Sequence, residues 1–130
     1  MLGRAKLTAF LATADAAWSK AFYQGVLGLR LLSDDQFALA FDSNGIQLRV
    51  QKVPNVQPPP FTVLGWEVPD IRQAVTALTK AGVPFERYQF LQQDDLGIWQ
   101  APSGTRVAWF KDPDANVLSL GQSGAVQSQL

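Results

Sequence analysis

The sequence predicts an α+β fold made of two paired βαβββ modules that form a mixed sheet around a cavity, and three observations carry that expectation. Strand-like apolar runs at 7–14 (LTAFLATA) and 61–68 (FTVLGWEV) are each followed by an Asp that opens a helical pattern. Further strand candidates follow each helical pattern, so the two halves share one layout. The 130 residues are 47% hydrophobic and 17% charged, which supports a buried core and lies outside the range of disordered chains.

In the first half, Asp15 caps a segment with Trp18, Ala21, Phe22 and Gly25 at helical spacing, and Gly28 ends it. Trp18 is thereby expected on the face that packs against the sheet. Strands are expected at 29–32, 37–42 and 46–52, with Ser43, Asn44 and Gly45 as a hairpin turn. In the second half, Ile71, Ala74, Val75, Leu78 and Ala81 share one face of a helix that Asp70 begins. Asp70 and Gln73 form a capping box, Gly82 stands at the stop and Pro84 just beyond it. Strands follow at 85–90, 105–111 and 117–122, the last two joined by the turn at 112–116 (DPDAN). A positive φ at Ala115 would strain that turn, a role Asn116 bears more readily. Residues 1–130 are read as one domain: module one at about 4–53, an extended proline-rich linker at 54–60, module two at about 61–122 and a flexible tail at 123–130.

Alternation along the strands assigns their faces. In the first strand Ala9, Leu11 and Thr13 lie under the helix, while Thr8, Phe10 and Ala12 look into the cavity. Leu64, Trp66 and Val68 lie under the second helix, with Val63, Gly65 and Glu67 facing inward. Ile46, Leu48 and Val50 belong to the core, and Gln47, Arg49 and Gln51 to the cavity side. Trp99 falls in a loop-like stretch, where it either lines a ligand site or covers the sheet edge. Phe10 either lines the cavity or plugs it. The strand holding Trp109 is apolar on both faces, so its side stays open. Arg49 and Glu67, charges aimed at a cavity, imply either a structural ion pair or a ligand. The pairs Asp34-Asp35 and Asp94-Asp95 read as solvated turn residues, the second pair also able to meet a cationic molecule.

Two zeros narrow the chemistry most: the chain has no Cys and no His. Thiolate nucleophiles, disulfides, Cys/His zinc sites and every His-based relay are excluded, and acid-base work would fall to a carboxylate, Lys or Tyr with a displaced pKa. Eleven basic residues balance eleven acidic ones, so neither nucleic acid nor an anionic membrane is an expected partner. No run approaches the ~18 apolar residues of a membrane span. Arg4 and Lys6 before the apolar run at 7–12 look superficially like a secretion signal, but Asp15 closes the run, and a cytoplasmic location is the default expectation.

The segments AFYQGVLGL at 21–29, GWEVPDIRQAVTALTKAGV at 65–83 and RVAWFKDPDANVLSL at 106–120 stand in this order behind the first strand and Asp15. Together they resemble the glyoxalase/bleomycin-resistance, or vicinal oxygen chelate, superfamily over nearly the whole chain. In its enzymes, the resemblance implies, four inward strand positions hold a divalent metal, usually through His or Glu. Carried onto this sequence those positions are Thr8, Gln47, Val63 and Ser119. Only Gln47 offers a plausible ligating oxygen, so the resemblance implies no metal and no cofactor. It favours instead the metal-free branch, whose best-known members are dimers that sequester bleomycin- or mitomycin-type antibiotics unchanged. The chain is then expected to be a homodimer that confers antibiotic resistance by binding a small, partly aromatic molecule. Thr8, Phe10, Gln47, Arg49, Val63, Glu67, Trp99 and Ser119 are its expected ligand-binding residues, and none is catalytic. The alternative is an isomerase or lyase of the same superfamily with a relocated or metal-independent site using Glu67, Glu86 or Tyr88. A third reading is a module that acts only through its dimer surface.

Overall fold

The computed structural model describes residues 1–124, and the chain divides into two compact units, the first Met1–Pro58 and the second from Pro59 onward. Each unit holds one four-stranded mixed sheet with a helix on one face, the α+β arrangement expected. Most of the tail expected at 123–130 lies outside the described residues. Among the described residues no helix is long and apolar enough to cross a membrane.

The first unit runs β1 (Thr8–Thr13), α1 (Ala16–Lys20), a wider π-type turn (Ala21–Val26), β2 (Arg30–Asp34), β3 (Ala38–Ser43) and β4 (Ile46–Lys52). Its strand order is β1-β4-β3-β2, with β1 and β4 parallel and the other pairs antiparallel. A parallel pair needs a crossover, which here begins with α1. Asp15 caps that helix, its Oδ1 accepting from Trp18 N at 3.0 Å. Leu11, Leu39, Phe41, Leu48 and Val50 form the core, and Tyr23 packs its ring 5.7 Å from that of Phe41. Asn44 (φ 49) and Gly45 (φ 89) make the expected hairpin turn.

Two face assignments differ from the expectation. Trp18 is 62% exposed, because Ser19 and Tyr23, four residues apart, occupy the sheet-facing stripe instead. Burying Ser19 carries little penalty, since its hydroxyl shares a 2.6 Å hydrogen bond with the buried Thr13 hydroxyl. Ile46, assigned to the core, is exposed at the hairpin end of β4.

The second unit runs β5 (Thr62–Glu67), α2 (Ile71–Lys80), β6 (Trp99–Gln100), β7 (Arg106–Lys111) and β8 (Val117–Gln122), in the order β5-β8-β7-β6. Asp70 caps α2 through Gln73 N at 3.1 Å, and Gly82 (φ 95) terminates it in the left-handed region. Ile71 and Val75 are fully buried, and Ile71 N donates to Gln122 Oε1 of β8 at 2.8 Å. Ala108, Phe110, Leu118 and Leu120 complete the core.

The strand expected at 85–90 is absent. Phe85 makes a single bridge to Phe110, and the chain then runs as a loop to the short edge strand β6. Trp99, read as a loop residue, therefore belongs to a strand, opposite Val107. In the 112–116 turn Ala115 takes the left-handed conformation (φ 66). Asn116 does not relieve it; it is buried, and its Nδ2 donates to Asp112 Oδ2 at 2.9 Å. Finally, β5 is bulged: Thr62 lies opposite Val117 and Leu64 opposite Leu118, leaving Val63 without a register partner.

Candidate ligand-binding site

The face of the second sheet away from α2 is built from two adjoining cross-strand rows. In one, Glu67 of β5 lies opposite Gly121, Gly121 opposite Val107, and Val107 opposite Trp99. In the other, Gly65 lies opposite Ser119 and Ser119 opposite Trp109. Paired residues share a face, so small side chains floor the middle while Glu67 and the two tryptophans stand at opposite ends. The concavity over this floor measures about 250 Å³ and also takes lining from Thr105, Gln122 and Ser123. Gly65 keeps the floor low: a Cβ there would come within 2.6 Å of Ser119 Oγ.

Trp66 is the aromatic residue lining this concavity; a row of further rings stands as a wall beside it on the β6–β7 side of the sheet. Trp99 and Trp109 have centroids 6.1 Å apart and inclined at 33°, Tyr88 meets Trp109 edge-on at 5.5 Å, and Phe90 continues the row 5.6 Å from Tyr88. Trp109 Nε1 donates to Thr62 Oγ1 at 3.1 Å. The loop carrying Tyr88 and Phe90 is held by Gln93, whose Oε1 accepts from Tyr88 N at 2.8 Å while Nε2 donates to Glu86 O at 2.9 Å and Gly97 O at 2.8 Å. Arg87 adds hydrogen bonds to the carbonyls of Asp94 and Asp95. Asp94 is consumed by this frame: its Oδ1 accepts from Leu96 N and Ile98 N, and its Oδ2 pairs with Arg72 at 3.1 Å. Burial, reinforced by the charge of Glu86, pushes the Tyr88 phenol above its usual pKa.

Two ionisable groups near the wall compensate each other, Glu86 and Lys111 at 3.6 Å. Glu67 stands apart. Its carboxylate accepts from Ser123 Oγ, and among the described residues of its own unit no Lys or Arg reaches ion-pair distance.

The residues nominated from sequence fall into two groups. In the first unit Thr8 lies directly opposite Gln47, and Phe10, 56% exposed, opposite Arg49, all on the face away from α1. Within that unit Arg49 forms no ion pair. Its charge, behind the Phe37 and Ala38 N–H groups in effect, contributes to holding the Asp35 carboxyl below its usual pKa. In the second unit Glu67, Ser119 and Trp99 share one face; Val63 is the bulged residue, and Thr62 takes the register position opposite Val117. Sequence reasoning did not nominate Thr62 or Phe90, left the side of Trp109 open, and named Tyr88 only for the enzyme alternative. For Trp109 a signal existed, because counting across the 112–116 turn pairs residue 109 with the inward Ser119.

The superfamily's enzymes imply a divalent metal, and the donor chemistry here does not fit one. The first unit offers a hydroxyl and an amide at Thr8 and Gln47, the second a hydroxyl at Ser119 and hydrocarbon at Val63. Neither pair supplies a carboxylate or an imidazole. Among the described residues no three carboxylates gather in a cluster able to hold an ion.

Solved structures share this fold. Lactoylglutathione lyase from Agrobacterium tumefaciens superposes with a TM-score of 0.71 at 16% identity, covering 92% of this chain and 93% of that one. TnmS3, an antibiotic binding protein from Streptomyces, gives a TM-score of 0.70 at 24% identity over 92% and 95%. A glyoxalase/bleomycin resistance protein/dioxygenase superfamily member from Sphaerobacter thermophilus gives 0.71 at 22% over 91% and 96%. No curated protein matches the sequence. The family model described as the Glyoxalase/Bleomycin resistance protein/Dioxygenase superfamily matches residues 6–120, and with the two β-α-β sheets in place the chain belongs to that superfamily.

Proposed function

We propose that this protein binds a small, partly aromatic molecule and sequesters it chemically unchanged, without a metal. The observation that carries the reading is the wall of Trp99, Trp109, Tyr88 and Phe90 beside a floor of Gly65, Gly121, Ser119 and Val107. A flat ligand gains apolar burial and ring contact on such a wall at little entropic cost, and small floor residues leave it room. The neutral donor set at Thr8, Gln47, Val63 and Ser119 agrees with a site that works without a cation. The antibiotic-binding neighbour from Streptomyces makes an antibiotic of bleomycin or mitomycin type the first ligand to test. In this reading the Thr8, Phe10, Gln47 and Arg49 face of the first unit supplies further ligand contacts, and the protein acts as a cytoplasmic homodimer in antibiotic resistance.

The enzyme alternative draws on Glu67, Glu86 or Tyr88. The Tyr88 phenol is shifted away from its ionised form, so it is not disposed as a base near neutral pH.

The test is a titration with bleomycin and with mitomycin C, following tryptophan emission, then recovery of the ligand for mass spectrometry. Saturable quenching with an unchanged ligand mass is expected. A transformed ligand overturns the reading, as does a stoichiometric bound metal with turnover of glyoxalase-type thioesters or catechols. Sedimentation velocity tests the dimer.

A further inference from the structure

We infer that the molecule taken by the second unit's open face carries a cationic group at a distance from its aromatic part, an inference that rests on the binding function proposed above. Glu67 is the observation behind it. Its partner is a hydroxyl, Ser123 Oγ, which can satisfy a lone pair but leaves the negative charge in place, and among the described residues no Lys or Arg of its own unit neutralises it. Glu86 and Lys111 already cancel one another at 3.6 Å. Of the two acids that the sequence offered for meeting a cation, Asp94 is committed to Arg72 and to the N–H groups of Leu96 and Ile98, and Asp95 lies 4.0 Å from the same Arg72. Among the described residues of the second unit, this face therefore presents one carboxylate, that of Glu67, with no cationic partner from its own unit.

The opposite end of the same row favours the same ligand charge. Trp109 spends its one hydrogen-bond donor on Thr62, so what it offers a ligand is ring surface. Ring faces at Trp99, Trp109 and Tyr88 carry negative quadrupole density, which attracts cations and repels anions. The Tyr88 phenol, raised in pKa, keeps its proton and adds no charge.

Register gives the spacing. Glu67 and Trp99 occupy one row with only Gly121 and Val107 between them, three strand spacings or roughly 14 Å across the sheet. A compact aromatic cation cannot touch both ends. The fitting class is a flat ring system joined through a spacer of several atoms to an ammonium, amidinium or guanidinium group, lying across Gly121 and Val107.

Isothermal titration calorimetry with three probes of equal length decides it: naphthylbutylamine, naphthylbutanol and naphthylbutanoate. At low salt the amine is expected to bind about three- to fivefold more tightly than the alcohol, the scale of one partly exposed charge pair, and the carboxylate most weakly. Added salt should close the gap. Glu67→Gln should abolish the amine's advantage over the alcohol, and Glu67→Lys should turn the preference toward the carboxylate. Ser123→Ala should keep the advantage. Glu67 is exposed at the end of β5, so these variants keep the fold. Equal binding of amine and alcohol, or an advantage that survives Glu67→Gln, overturns the cationic inference and leaves the aromatic-binding function standing. Binding by none of the three probes overturns both.

Discussion

Trp109 of β7 reaches across β8 to donate its indole hydrogen to the hydroxyl of Thr62 on β5, at 3.1 Å. The bond restrains one of the two indoles of the wall, and the β5 bulge at Val63 places its acceptor Thr62 in register with Val117. Thr62→Val preserves shape and removes the acceptor. Urea unfolding should show a loss of about 0.5–1.5 kcal/mol, with a changed near-ultraviolet circular dichroism signal from the freed indole. An unaltered spectrum would mean that packing alone orients the ring.

Gly65→Ala puts a Cβ within 2.6 Å of Ser119 Oγ. That hydroxyl is the end of a rotatable side chain, so the substitution should cost stability less than about 1 kcal/mol, yet raise the floor of the concavity and weaken aromatic binding. Adding Ser119→Gly should restore much of the binding, a coupling readable as a double-mutant cycle. Additive effects would separate the two residues.

Ala115 holds a left-handed backbone (φ 66) in the turn between β7 and β8, a conformation that costs an alanine roughly 1–2 kcal/mol. Ala115→Gly should therefore stabilise the protein by about 0.5–1 kcal/mol after glycine's entropy in the unfolded chain is set against the relief. The midpoint of urea denaturation should rise at constant slope. A fall would show that the turn adapts to alanine without strain.

Asp34 is bracketed by Lys52 at 2.6 Å and Lys20 at 3.3 Å. The Lys52 hydrogen bond first, then that of Lys20, hold its carboxyl below the ordinary 3.8. A depressed folded-state pKa gives a contribution to stability that is complete above the unfolded value and is lost as pH falls through the folded one. Between neutral pH and about pH 5 stability should be flat in this respect, then decline below about pH 4, and Asp34→Asn should flatten part of that acid limb. Because the group is exposed, high salt should shrink the difference between the two proteins.

Features set by one chain segment at a time were legible in the sequence. Asp15 and Asp70 cap the helices they were expected to cap, the Asn44-Gly45 turn forms, and Leu11 and Thr13 go under α1 by alternation. What failed depends on side chains meeting across the sequence. Ser19 displaces Trp18 from the buried stripe because Thr13, on a different element, satisfies its hydroxyl. The apolar residues of 85–90 suggested a strand, but the Gln93 side chain takes Tyr88 N and Glu86 O, backbone groups a ladder would have used. The bulge that exchanges Thr62 for Val63 leaves no mark on the apolar pattern, so the partner of Trp109 could not be read from it.

Gln93 gives this region a property that outlasts any particular ligand. One amide clamps three main-chain groups, at 86, 88 and 97, through hydrogen bonds made to the backbone. The frame is thus indifferent to what residues 88 and 90 are. Exchange of those two positions can retune what the surface recognises while the backbone beneath keeps its course, whereas loss of the clamp at 93 would scatter the whole display in a single step.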